Sequence, residues 1–348
     1  PRIDYTDTSD GVLLLENAST NRFLYSEDLT QFDLSSSGTG ASNPVVTSNY
    51  GVSPDGTQNA DRVQLDAGTD ASGNSRITET FTIFATTETI SVYLKSNDGQ
   101  EHTIDIIQSN SPQNTATVTS EWQRFSFTNV NGSPDKYGIG LTGSNGETAD
   151  ILAWGFQLEQ NSVASSYIPT QGSASTRVAE TANGAGNSEV FNSQEGVLFL
   201  DTKALSNDGT TRTIGLSDGS NSNRIHFIYY SITNGYSVNY RVSNSTQVAF
   251  TELGNILDYQ KIAFKYKSGD FSLWYNGFEI DTDNNTTMMS ENTLDRLSFK
   301  QEPNSSNYTG KTKELGYYDE ILTDLELETL TSYRSLNELV TELNLNEL

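Results

Sequence analysis

The stretch Leu152-Ala153-Trp154-Gly155-Phe156-Gln157-Leu158-Glu159 places its large apolar side chains at every second position. Only an extended strand with one buried face gathers that pattern onto one surface; a helix would scatter it around its circumference. The alternation predicts Leu152, Trp154, Phe156 and Leu158 in a core, and leaves Gln157 and Glu159 on the free face. Pro169 and Gly172 then end the extended run.

The same period recurs at the spacing of a β-sandwich. Strands are expected at residues 77–84, 89–96, 102–108, 122–127, 137–141 and 151–159, with 35–59 read as loop. A second set is expected at 196–202, 211–216, 224–232, 236–242, 261–267, 271–275, 278–282, 296–300 and 311–318. Asn234-Gly235 and Asn276-Gly277 suit two-residue type I′ hairpins. Between the sets, Gly, Ala, Ser, Thr and Asn run without periodicity, and the linker is placed at 177–190. Thr323-Asp324-Leu325-Glu326 is a capping-box pattern opening a short helix. Leu336, Leu339, Val340 and Leu343 fall at helical spacing and predict an amphipathic tail helix. The reading is all-β: two tandem β-sandwich (jelly-roll) domains, 1–176 and 191–333, with a short C-terminal helix and a tail helix over 334–348.

Composition narrows the function classes. Against 20 basic residues the chain carries 45 acidic ones, a formal net charge of −25. That disfavours nucleic acid and anionic membranes, both of which need Lys and Arg in excess. There is no Cys, so disulfides and thiolate metal sites are excluded, and two His make zinc a poor fit. No apolar run approaches a membrane span and the first residues do not read as a signal peptide. Without an initiator Met, the chain is expected to be processed or part of a longer one.

Candidate chemistry is sparse. Gly215-Leu216-Ser217-Asp218-Gly219 has the spacing of a nucleophile elbow, but no helix follows it and His226, the nearby His, is expected on a strand. It reads as a turn. Glu279 and Asp281 alternate on one strand as glycosidase carboxylates can, yet the strand follows a tight hairpin, so no catalytic residue is assigned. If Asn276-Gly277 is the turn, Tyr275 pairs with Phe278, Trp274 with Glu279, Leu273 with Ile280 and Ser272 with Asp281. Phe278 and Ile280 then face the core, and Trp274 stands beside Glu279 and Asp281 on the open face. An indole next to carboxylates suits stacking on a sugar ring. Tyr93, Gln157 and Glu159, on non-core faces of the first domain, are the other candidate glycan contacts. Tyr229, Tyr236 and Tyr240 are assigned to the core. Oxygen-rich Asp4/Asp7/Asp10 and Asp281/Asp283/Asn285 leave a structural calcium open; no other cofactor is expected.

Two groups of residues resemble known families. Residues 16–21 with Tyr25-Ser26-Glu27-Asp28, then Trp122-Gln123-Arg124, Trp154 to Glu159, and Ser166-Tyr167-Ile168-Pro169-Thr170 up to Arg177 resemble a module of bacteriophage and prophage virion proteins related to carbohydrate-binding jelly rolls. Lys261 to Phe264, Leu273 to Gly277 and Glu314 to Leu327 resemble the concanavalin A-like, laminin-G-type sandwich. Some relatives of that fold hold calcium through an Asp of the closing strand, where this chain has Lys313-Glu314. The resemblance implies a non-enzymatic virion surface protein, of tail-fibre or receptor-binding type, that attaches to host surface glycans. Its partners would be a cell-surface polysaccharide and other virion proteins, at an extracellular site. Weak single-site sugar binding favours avidity, so a homotrimer is expected. The rival readings are a glycan-binding accessory module of a secreted polysaccharide-degrading enzyme and a purely structural virion decoration.

Overall fold

The computed structural model describes the chain except residues 83–86, 110, 130–134, 231–233, 304–305 and 334–348 and the side chains of 111–113. The expected tail helix lies outside the described residues. The chain folds into two compact units, but not in tandem: Ala18–Val178 forms one, and Pro1–Asn17 joins Ala179–Leu348 in the other. The first expected domain, 1–176, therefore starts at Ala18 instead, and residues 1–17 belong with the second. Residues 2–15 read as isolated extended pieces, and their partner strand lies some 300 residues further on, where no local pattern reveals it.

The unit built from both chain ends, the terminal sandwich, has two antiparallel sheets. The seven-stranded sheet runs Arg2–Asp4, Val12–Leu15, Gly310–Tyr318, Glu195–Ala204, Gln260–Lys267, Phe271–Tyr275 and Phe278–Asp283. The six-stranded sheet runs Asn183–Ala185, Arg296–Ser298, Arg212–Ser217, Arg224–Tyr230, Gly235–Val242 and Ser245–Leu253. Leu198, Leu200, Phe264 and Leu273 from one sheet meet Ile214, Phe227, Tyr229, Tyr236, Val238 and Tyr240 from the other. Tyr229, Tyr236 and Tyr240 are core, as their alternation requires. A short helix, Asp324–Thr331, opens with the full capping box between Thr323 and Glu326 and closes a smaller cluster on the outer face of the seven-stranded sheet.

The inserted sandwich, Ala18–Val178, has two five-stranded antiparallel sheets. One runs Ser111–Val118, His102–Gln108, Lys136–Thr142, Asn74–Thr80 and Asp33–Ser37; the other runs Gln123–Asn129, Glu88–Ser96, Thr148–Glu159, Ala60–Asp66 and Ser42–Gly51. Much of the segment read as loop at 35–59 is strand. Ser42–Gly51 sits at a sheet edge and is largely exposed, so it shows no apolar alternation to read.

The strand Thr148–Glu159 keeps its expected place but not its parity. Its ladder shifts between Trp154 and Gln157, and Gly155 takes a φ of +70°. This is a β-bulge, which adds one residue and reverses the faces beyond it. Ile151, Ala153, Phe156 and Leu158 enter the core, while Leu152 and Trp154 do not. Trp154 is buried on the opposite face, its ring 4.5 Å from Tyr167 and 5.4 Å from Tyr93.

Candidate glycan-binding site

Of the expected contacts, Trp274 is the clearest correction. Its indole is 6% exposed, packed with Val197, Phe199, Ala263 and Leu327 under the short helix, and its Nε1–H donates to Ser272 Oγ at 3.0 Å. It offers no face to a sugar. The Asn276-Gly277 hairpin forms with Tyr275 opposite Phe278 and Trp274 opposite Glu279, but the register then shifts. Leu273 faces Asp281 rather than Ile280, and Ser272 faces Thr282. Glu279 and Asp281 are exposed on an edge strand. Phe278, expected in the core, is 72% exposed, whereas Ile280 does pack against it.

In the inserted sandwich, Gln157 and Glu159 are fully buried. Gln157 accepts from the Ile168 N–H at 2.7 Å and donates to the Ser165 carbonyl at 3.2 Å. Glu159 accepts from the Ser165 N–H at 2.9 Å and from the hydroxyls of Ser19 and Ser165. Asn21 bridges the same elements, donating to the carbonyls of Phe156 and Ile168 and accepting from the Leu158 N–H. These residues clasp the outgoing segment to the last strand; in this arrangement they touch no solvent. Tyr93 is half-buried between Trp154 and the Arg124 guanidinium, 5.4 Å from each. Ser217 ends a strand and turns through Asp218, with no helix behind it. Of the oxygen-rich groups, Asp7 is engaged by Lys203, Lys311 and Tyr259. Among the described residues no set of three His, Cys, Asp or Glu side chains is placed to hold a metal ion.

The site that does form was not singled out in the sequence. An open cleft of about 460 Å³ in the inserted sandwich is lined by Tyr25, Glu27, Asp28, Asn49, Asn59, Asp61 and Gln171, among others. Segments 25–28 and 169–171 both line it and lie side by side, joined by an antiparallel bridge between Tyr25 and Gln171. Asp28 caps a short 3₁₀ turn, Leu29–Gln31, by accepting from the Thr30 N–H. Asp61 accepts from the backbone N–H of Leu29 at 2.8 Å and of Asn49 at 2.9 Å. Burial pushes its carboxyl up despite these bonds, with Asp28 adding repulsion. Glu27 accepts from the Tyr167 hydroxyl at 2.8 Å and the Asn59 amide at 3.0 Å. Burial, followed by the Glu27 charge, raises the Tyr167 phenol far out of its ordinary range, so it stays a donor. The Asn59 amide is thereby fixed, and its Oδ1 is buried without a partner. The cleft presents carboxylate and amide groups held by neighbours beside one tyrosine ring, a set able to exchange hydrogen bonds with hydroxyls. Its signal in the sequence was that two motif segments far apart in the chain are both rich in such groups.

No family model matches the chain, and no curated protein matches it. Solved structures similar to it include the Ruminococcus gnavus IT-sialidase CBM40 bound to alpha2,3 sialyllactose, at 15% identity over 44% of this chain and 96% of that one, with a TM-score of 0.36. Xenopus laevis galectin-Ib is 18% identical over 40% of this chain and 99% of its own, with a TM-score of 0.27. Domains LG4-5 of the mouse laminin alpha1 chain are 8% identical over 74% of this chain and 88% of theirs, with a TM-score of 0.30.

Proposed function

We propose that this chain is a non-enzymatic glycan-binding protein of a bacteriophage virion surface, of tail-fibre or receptor-binding type. The observation that carries glycan binding is the polar cleft at Tyr25. Its groups are pre-positioned by bonds to their neighbours, and preorganised polar groups around a ring suit a polyol. Glu27, Asp28 and Asp61 are each occupied by protein donors, which favours holding a ligand over proton transfer. The virion setting and a trimeric assembly rest on the resemblance of the motif residues and on avidity.

The test is a glycan array followed by calorimetry of the best neutral hits with Tyr25→Ala and Asp28→Ala. Loss of binding with an unchanged melting temperature supports the cleft. Unchanged binding in both variants overturns it, and an array without hits overturns glycan binding itself.

A further inference from the structure

The cleft at Tyr25 holds negative charge that no described residue balances. Glu27, Asp28 and Asp61 all line it, and among the described residues no Lys, Arg or His does. The groups that hold these carboxylates are neutral. Glu27 accepts from the Tyr167 hydroxyl and the Asn59 amide, Asp28 from the Thr30 N–H and the Gln31 amide, and Asp61 from the Leu29 and Asn49 N–H groups. Arg22 and Arg62, the basic residues nearest to them in sequence, pair instead with Glu88 and Asp150. Elsewhere carboxylates held by the fold do meet cations: Glu16 and Glu180 share Arg2, and Asp7 takes Lys203 and Lys311.

With 45 acidic residues against 20 basic ones, many carboxylates must go unpaired. Scarcity alone would leave them apart in open water, where repulsion is screened. Here three converge on one concavity of about 460 Å³, and Asp61, 1% exposed, is near enough to Asp28 to be repelled by it. A concave wall of one sign concentrates its field on whatever enters. Asn59 adds to the excess of acceptors: its amide N–H is spent on Glu27 and its Oδ1 is buried without a donor. Tyr25, Glu27 and Asp28 are part-exposed, so a ligand in the cleft meets them directly, while Asp61 is covered and acts through its charge. An ammonium brings a positive charge and donors only, the complement of this wall. An acetamido nitrogen lacks the charge and comes with a carbonyl acceptor; a uronate brings a further negative charge.

We infer that the cleft selects an amino sugar, its pyranose ring against Tyr25 and its free ammonium held by Glu27 and Asp28 within the field of Asp61. This ligand class rests on the glycan-binding reading of the same cleft.

The experiment is titration calorimetry of the full chain with glucosamine, N-acetylglucosamine, glucose and calcium chloride, in buffer that keeps the amine charged. The variants are Asp28→Asn and Glu279→Gln. Glucosamine should bind roughly tenfold tighter than either neutral sugar at low salt, and the margin should shrink as salt is added. Asp28→Asn should remove most of that margin and leave glucose binding in place, since Asn still caps the turn at Leu29–Gln31. The salt series on the parent chain reads the same charge without any substitution. Glu279, exposed on an edge strand of the other unit, controls for the acidity of the whole chain, so Glu279→Gln should change nothing. Equal affinity for the three sugars overturns the amino-sugar selectivity and leaves the cleft standing as a glycan site. A glucosamine margin that survives Asp28→Asn, or that falls as much in Glu279→Gln, overturns it as non-specific attraction. Calcium bound by the parent and lost in Asp28→Asn, with glucosamine not preferred, overturns it in favour of a metal ion. No binding of any sugar, neutral or amino, overturns the glycan-binding reading together with it.

Discussion

Trp274 provides the sharpest test of the packing. Its indole and Leu327 belong to one cluster that attaches the helix Asp324–Thr331 to the seven-stranded sheet. A buried Trp removes roughly 200 Å² from water, worth about 5 kcal/mol at 25 cal/mol per Å². That is an upper bound, because the unfolded chain already shelters part of it. Trp274→Ala should cost about 3–4 kcal/mol, and Leu327→Ala about 2–3 kcal/mol. The two share a contact, so the double variant should cost about 1 kcal/mol less than the sum. Urea denaturation followed by circular dichroism gives the three values. Trp274 is one of three tryptophans and the one in the terminal sandwich, so its fluorescence also reports the Leu327→Ala transition locally. A loss below about 1 kcal/mol for Trp274→Ala, accompanied by lost glycan binding, would refute the burial argument and restore the indole as a ligand contact.

Three further outcomes are expected. Gly155→Ala puts a Cβ 3.2 Å from the Tyr93 ring at a φ of +70° and should cost about 1–2 kcal/mol by thermal melting. Burial, then Asp33, raises the Glu79 carboxyl from an ordinary 4.5 to about 7, while the Leu24 N–H bonded to it pulls the other way. A raised folded-state pKa means stability that is whole below about pH 4.5 and lost as pH climbs through 7. Glu79→Gln should therefore match the parent at pH 4 and exceed it at pH 8 by about 1 kcal/mol, the shift being discounted because solvent screens this part-exposed carboxyl, in paired denaturation curves. Arg212 is 1% exposed and donates to Ser206, Thr210, Thr309 and Asp208; Arg212→Met leaves these unserved and should lower stability by about 3 kcal/mol in urea.

The strands with one buried face were legible because their period is set by local geometry. Thr148–Glu159, Glu88–Ser96, Arg224–Tyr230 and the capped helix all appear where alternation or capping chemistry put them. What failed depends on single insertions or distant partners. One positive-φ glycine at 155 transferred Trp154 to the other face, while Gln157 and Glu159 kept the non-core face and were buried there by the outgoing segment at Ser165 and Ile168. One register shift at Leu273/Trp274 moved Asp281 away from the tryptophan, and a helix fifty residues later covered that indole. The cleft has no local signature for a related reason: Tyr25, Asn59 and Gln171 lie on segments with no period, brought together only by the closed sandwich.

The first strands have a mechanical consequence. Val12–Leu15 pairs with Gly310–Tyr318, and the strands leading into and out of the insertion, Ser19–Asn21 and Ser175–Arg177, pair with each other. Tension applied at Pro1 and at Tyr333 is borne by the terminal sandwich, because both points of loading belong to it. The inserted sandwich is a loop off that line of force, closed at its base by the Ser19–Asn21 and Ser175–Arg177 ladder. It is loaded only after Val12–Leu15 has been sheared from its neighbour, so the cleft at Tyr25 keeps its shape while the rest of the chain is under strain.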